Sequence, residues 1–168
     1  MDFKHDILPL KNIIFRTALR IVLNREEAED IVQDTLMKLW ERRDELEKVE
    51  NLESFALTAA RNLAIDRKEK MENQNVSFDD EKHDRPDEGQ SNSDSQLVRK
   101  ETHGFIADII NALPKKQRTI LQLRDIEGKS YKEIATVLSI TESDVKVSLF
   151  RARGEIKERI LQKKSLFL

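Results

Sequence analysis

Cysteine is absent from this chain, which excludes a disulfide framework, thiolate zinc sites and cysteine nucleophiles. Glycine and proline are scarce, four and three among 168 residues, whereas a sandwich or barrel needs a turn residue every ten positions or so. No apolar run approaches the ~20 residues required to cross a bilayer. The first twenty residues carry Asp2, Lys4, Asp6 and Lys11 instead of an unbroken apolar core, which argues against a secretory signal. His5, His83 and His103 have no ligand spacing with one another or with paired carboxylates. No glycine loop could cradle a phosphate, and no serine sits in a nucleophile motif. These absences leave a soluble, cytoplasmic, all-α chain with no metal, no cofactor, no membrane insertion and no enzymatic chemistry. Aromatic residues at 5% and charged residues at 37% agree with that class.

The net charge of −2 conceals an uneven distribution. Counted along the sequence, residues 1–70 carry −2, residues 71–97 carry −6 and residues 98–168 carry +6. Between Glu72 and Gln96 the only sizeable apolar side chains are Val76 and Phe78, among Asn, Gln, Ser, Asp and Glu, with Pro86 and Gly89. Such a stretch cannot bury enough surface to offset chain entropy. The expected organisation is two small helical domains, 1–71 and 98–168, joined by a flexible acidic linker over 72–97. A basic C-terminal third fits a polyanionic partner, because each Lys or Arg near a phosphate releases counterions.

In the N-terminal part, Leu10, Ile13, Ile14, Thr17, Ala18, Ile21 and Val22 follow the three-four spacing of one helix face. Asn24 stops that helix and can cap the next, with Glu27 as reciprocal partner. The second helix has Ala28, Ile31, Val32, Thr35, Leu36, Leu39 and Trp40 on its inner stripe, and Asp30, Gln33, Asp34, Met37 and Lys38 on the other face. After a loop around 44–51, a third helix is expected to turn Leu52, Phe55, Ala59 and Leu63 inward, with Arg61, Asn62, Arg67 and Lys68 outward. Ala56, Ala59, Ala60 and Ala64 allow close helix approach.

In the C-terminal part, Pro114 ends a helix carrying Phe105, Ile106, Ile109 and Ile110. Residues 115–126 read equally as helix or short buried strand. Gly128 suits a turn, and Ser130 with Glu133 forms a capping-box pattern opening a helix through Leu138. Thr141 caps a second, basic helix, with Asp144 near its positive end. Two capped helices joined by about three residues describe a helix-turn-helix. Ile134, Ala135 and Leu138 are expected to face Val145 and Leu149, while Ala152, Ile156 and Ile160 continue the inner stripe. That leaves Glu142, Ser143, Lys146, Val147, Phe150 and Arg151 outward, on a helix whose diameter fits the major groove. Arg118, Arg124, Lys129, Lys132 and Arg153 are candidates for phosphate contact.

The block AEDIVQDTLMKLW at 28–40, followed by FALTAARNLAIDR at 55–67, resembles region 2 of the sigma-70 family, in particular its small extracytoplasmic-function class. The stretch LPKKQRTILQLRDIEGKSYKEIATVLSITESDVKVSLFRAR at 113–153 is similar to region 4 of the same class. The resemblance implies a transcription initiation factor that binds core RNA polymerase through Asp30, Gln33 and Asp34. It implies −10 promoter DNA contacts from Arg61, Asn62 and Arg67, and −35 contacts from Lys146, Phe150 and Arg151. An anti-sigma factor is implied as a further partner. Ser139 stands where the family often has glycine, at a position calling for a positive φ. Asp144 and Val147 are unusual on the recognition helix, so no promoter sequence carries over. Gly154 falls where that helix should continue, at a cost near 1 kcal/mol relative to Ala.

Reading −35 and −10 elements together means bridging about 25 base pairs, near 80 Å. The linker relaxes to roughly 30 Å and extends to roughly 90 Å. It is expected to reach only when polymerase holds it stretched, as a passive spacer or as an acidic nucleic-acid mimic in a polymerase channel. A conventional helix-turn-helix regulator would instead dimerise and bind its operator unaided.

Overall fold

The computed structural model describes residues 1–78 and 104–166. A π-helical turn (Phe3–Ile7) and a 3-10 turn (Leu8–Leu10) lead into α1, Lys11–Val22. Then follow α2 (Arg25–Glu41), the single turn α3 (Arg43–Leu46) and α4 (Leu52–Phe78). In the C-terminal part, α5 covers 104–111 and α6 covers Lys115–Leu121, running on into a π-helical turn over Gln122–Ile126. Helices α7 (Tyr131–Leu138) and α8 (Glu142–Leu166) complete the chain. The ambiguous stretch 115–126 is therefore helical, and the described residues contain no strand.

Helix ends follow the side chains read from the sequence. Asn24 accepts from the Glu27 backbone N–H at 3.0 Å. The Glu27 carboxylate does not return the bond; it goes to Arg67 instead. At α7 both halves of the capping box are present: Glu133 N–H to Ser130 Oγ at 3.0 Å, and Ser130 N–H to Glu133 Oε1 at 2.9 Å. Those bonds, the Ser130 backbone donor first, hold the Glu133 carboxyl below its ordinary pKa. Thr141 Oγ1 accepts from Asp144 N–H at 3.0 Å. Ser139 ends α7 with φ 57°, the left-handed conformation expected of a position often given to glycine. Leu23 ends α1 in the same way, φ 55°.

The first core is built from α1, α2 and α4, with Ile14, Ala18, Ile21, Ala28, Ile31, Leu39, Ala56, Ala60 and Ala64 essentially excluded from solvent. Alanines at 56, 60 and 64 let α4 lie close against both neighbours. The inner stripe of α4 differs from the sequence expectation. Ala56, Leu57, Ala60 and Ala64 are buried, whereas Leu52, Phe55, Ala59 and Leu63 are half-buried. A helix flanked on two sides buries a broader face than a single stripe suggests. Trp40 is exposed too, its ring meeting Phe3 edge-on and Arg43 face-on. Helix α4 continues through Phe78, past the boundary drawn at residue 71; the rest of the acidic linker lies outside the described residues.

The second core contains Ile110, Leu113, Ile120, Leu123, Ile134, Val137, Val145, Leu149 and Ala152, and it takes in Ile13 of α1 and Leu57 of α4 as well. The two modules therefore share apolar surface. Removing such side chains from water is worth about 2 kcal/mol each.

Candidate nucleic-acid interface

The residues expected to carry function fall into four groups. The first lies on α2, where Asp30, Gln33 and Asp34 are exposed beside Met37. They are not independent of α4. Arg67 Nη1 meets Glu27 Oε2 at 2.8 Å and Asp30 Oδ2 at 3.5 Å, and Nη2 meets Asp34 Oδ2 at 3.0 Å. The Glu27 bond first, then the charges of Asp34 and Asp30, raise the Arg67 pKa further. One guanidinium expected to face DNA is thus shared among three carboxylates, two of them expected to face polymerase, and a net negative charge remains on that surface.

The second group is the remainder of the α4 face. Asn62 is exposed and Arg61 half-buried. Arg61 Nη1 donates to Asn62 Oδ1 at 3.1 Å, and its Nε is buried with no partner among the described residues. Arg61 also lines a cavity of about 170 Å³ with Ile21, Ile65, Lys115, Thr119 and Leu138, at the seam between the modules.

The third group is the outward face of α8. Lys146, Val147 and Arg151 are exposed and Phe150 is 79% exposed, while Val145, Leu149 and Ala152 on the opposite side are buried. Asp144 is held by Lys116, at 2.8 and 2.7 Å to its two oxygens. That bond and the charge of Lys116 keep its carboxyl below the ordinary range despite some desolvation. The acid that looked misplaced on this helix is therefore neutralised by a cation from α6.

The fourth group contains the five phosphate candidates, and these separate sharply. Lys132 is exposed. Arg124 stacks on Tyr131 and donates to the Lys129 carbonyl at 2.9 Å. Arg153 pairs with Asp125, Nε to Oδ2 at 3.1 Å. Lys129 pairs with Glu53 of α4. Arg118 is only 5% exposed and donates to the carbonyls of Arg20, Ile21 and Leu113. In this arrangement Arg118 and Lys129 face the other module, not solvent.

Those two residues belong to a seam that sequence reasoning did not foresee. Arg16 binds Glu127 through two bonds of 2.7 and 2.8 Å. Arg20 donates to Gln122 Oε1 at 2.6 Å and to Asn111 Oδ1 at 2.9 Å. Asn51, in the loop before α4, caps that helix through Ser54 N–H at 3.0 Å and donates to Glu133 of α7 at 3.2 Å. No local periodicity could have revealed these residues, because their partners across the seam lie 76 to 111 positions away.

Comparison with known proteins adds an independent line. The family model for sigma-70 region 2 matches residues 7–73, and that for sigma-70, region 4 matches residues 106–156. The chain is 28% identical to the RNA polymerase sigma-H factor of Pseudomonas aeruginosa, over 95% of this chain and 83% of the relative. It is 28% identical to the ECF RNA polymerase sigma factor SigL of Mycobacterium tuberculosis, over 83% and 78%. Among solved structures it superposes on the sigma factor RpoE of Bartonella quintana, solved with the anti-sigma factor NepR. The TM-score there is 0.71 at 28% identity, covering 94% of this chain and 95% of that one. CnrH, solved with the cytosolic domain of CnrY, shares the fold with a TM-score of 0.65 at 16% identity, covering 94% and 86%. Among the described residues no helix is long and apolar enough to cross a membrane, and no cluster of metal-ligating side chains is present.

Proposed function

This chain belongs to the sigma-70 family of RNA polymerase sigma factors, in the extracytoplasmic-function class, and on that premise we propose how its surfaces divide the work of transcription initiation. As a member of the class it directs RNA polymerase to promoters. Its family is one of binding factors, and the energy it spends on strand opening is binding energy, not bond chemistry.

Asp30, Gln33 and Asp34 on α2 dock on a basic surface of core polymerase. Lys146, Phe150 and Arg151 on α8 enter the major groove at the −35 element, where Lys and Arg donate to guanine and Phe touches thymine methyls. Lys132, Arg124 and Arg153 fix register on the backbone. Arg61, Asn62 and Arg67 face the −10 strand. Displaced bases are held near the 47–51 loop that follows α3, shorter than the 44–51 loop expected from the sequence, by stacking and cationic contacts. Single-strand binding that exceeds duplex binding then pulls the equilibrium toward the open promoter. The observation that carries this reading is the bare outer face of α8: a Phe 79% exposed between Lys146 and Arg151, opposite the buried Val145, Leu149 and Ala152.

The closed seam bears directly on mechanism. The longest helix, α4, has 27 residues and spans about 40 Å, against about 80 Å between element centres. The modules must part before both elements are read, and Arg118, Lys129 and Asn51 become available when they do. Core polymerase and promoter DNA are the productive partners, acting in the cytoplasm; an anti-sigma factor, as NepR is to RpoE, is the restraining one. Run-off transcription with and without core enzyme, paired with gel shifts of a mapped promoter, tests the reading. A specific shift by the chain alone, equal to that with core enzyme, would make it an ordinary operator-binding regulator.

A further inference from the structure

Tyr131, the first residue of α7, receives two cations on its ring from two other elements. The Arg124 guanidinium carbon lies 4.4 Å from the ring centroid and the Lys146 ammonium 5.5 Å from it. The ring is anchored, since Tyr131 is half-buried and packs against the core cluster containing Ile134, Val137 and Leu149. Arg124 is also anchored, by its bond to the Lys129 carbonyl. Lys146 is not. Among the described residues its ammonium makes no ion pair and meets the aromatic face of Tyr131.

A lysine on a four-carbon stem reads a base poorly unless something limits its rotamers, because it is a mobile point charge without the fork geometry of arginine. An aromatic face within about 6 Å supplies such a limit by attraction to the ring quadrupole. We propose that Tyr131 is a positioning residue for −35 readout: its ring holds Lys146 in one direction of exit from α8, and so sharpens which base edge the ammonium reaches. The role rests on the assignment of Lys146 as a base reader. Arg124, on the same ring, ties that direction to the backbone register, so readout and phosphate anchoring share one platform.

The test uses the full chain with core polymerase and a promoter library randomised across the −35 element. Tyr131→Leu is expected to flatten the preference at the position read by Lys146 by about two- to fivefold. Tyr131→Phe, which keeps the ring, should restore it. In the Lys146→Ala background Tyr131→Leu should produce no further flattening at that position. Should Leu lower the melting temperature, Tyr131→Met and an NMR measurement on the unmutated chain decide the matter, since the Lys146 ε-protons must show an upfield ring-current shift. If Lys146→Ala flattens the preference while Tyr131→Leu and Tyr131→Met do not, the positioning role is overturned and the reader assignment stands. If Lys146→Ala itself changes nothing, the reader assignment fails and the positioning role falls with it. Absence of the upfield shift overturns the positioning role directly.

Discussion

Arg118 on α6 donates from Nη2 to the carbonyl oxygen of Ile21, 3.0 Å away on the last turn of α1 and 97 positions back in the chain. Its Nε donates to the neighbouring carbonyl of Arg20. The end of a helix leaves carbonyls without intrahelical partners, and this guanidinium supplies two of them. Burial, and after it the charge of Arg20, lower the Arg118 pKa, yet a guanidinium stays protonated.

Replacing Arg118 by Ala strips charged donors from buried carbonyls and should weaken the closed arrangement by about 3 kcal/mol, more than a hundredfold in the closed-to-open ratio. Small-angle scattering of the free chain should register an increased radius of gyration. Arg16→Ala, which removes only the more exposed pair with Glu127, should act in the same direction and more weakly. An unchanged radius for Arg118→Ala would show that the seam does not depend on it.

Acid should loosen the same seam. Burial alone would raise the pKa of Glu127, but its bonds to Arg16 and Gln122 outweigh that and hold it below the ordinary value of 4.5. A carboxyl depressed in the closed form contributes stability that is fully present above 4.5 and is lost as pH falls through the depressed value. Fluorescence transfer between labels on the two modules should therefore stay constant from pH 8 to about 5 and fall below 4.5. Glu127→Gln should remove this group's share of the acid step. A transition centred near pH 6 would point to another group.

The network around Arg67 predicts opposite effects on two ligands. Asp34→Asn removes a carboxylate from the surface proposed to dock on polymerase and releases one arm of Arg67. Core affinity should fall, while affinity of the free chain for a single-stranded −10 oligonucleotide should rise, each by about two- to fivefold. Fluorescence anisotropy measures both. A parallel fall in the two affinities would count against a shared guanidinium.

Two backbone positions invite stabilisation. Ser139→Gly relieves a left-handed Cβ at φ 57° and should gain about 0.5–1 kcal/mol. Gly154→Ala, inside α8 with nothing within 4 Å of the added Cβ, should gain about 1 kcal/mol. Thermal melting checks both, and a drop in melting temperature for either would contradict the geometry.

Local chemistry carried much of the fold into the sequence. The caps at Asn24, Ser130 and Thr141, the positive φ at Ser139 and the inner stripe of the helix-turn-helix are short-range effects, readable from side chains three or four positions apart. The exposed outer face of α8 was legible for the same reason. The seam was not. Periodicity marks Ile13 and Leu57 as apolar but does not say that they join the core of the other module, with Ile110 and Leu123. Arg118 reads as a surface cation until the end of α1 is brought to it. Tyr131 was visible only as the residue after a cap, because its two cations come from α8 and from the π-helical turn.

The extension of α4 through Phe78 alters how far the factor can stretch. Each residue kept in a helix advances the chain by about 1.5 Å instead of about 3.3 Å, so the stretch from Glu72 to Phe78 gives up roughly half its reach for as long as it stays wound. On the proposed reading, promoters with wide spacers should carry an unwinding penalty that narrow ones avoid, the last turns of one helix serving as a ruler for the distance between the two sequences.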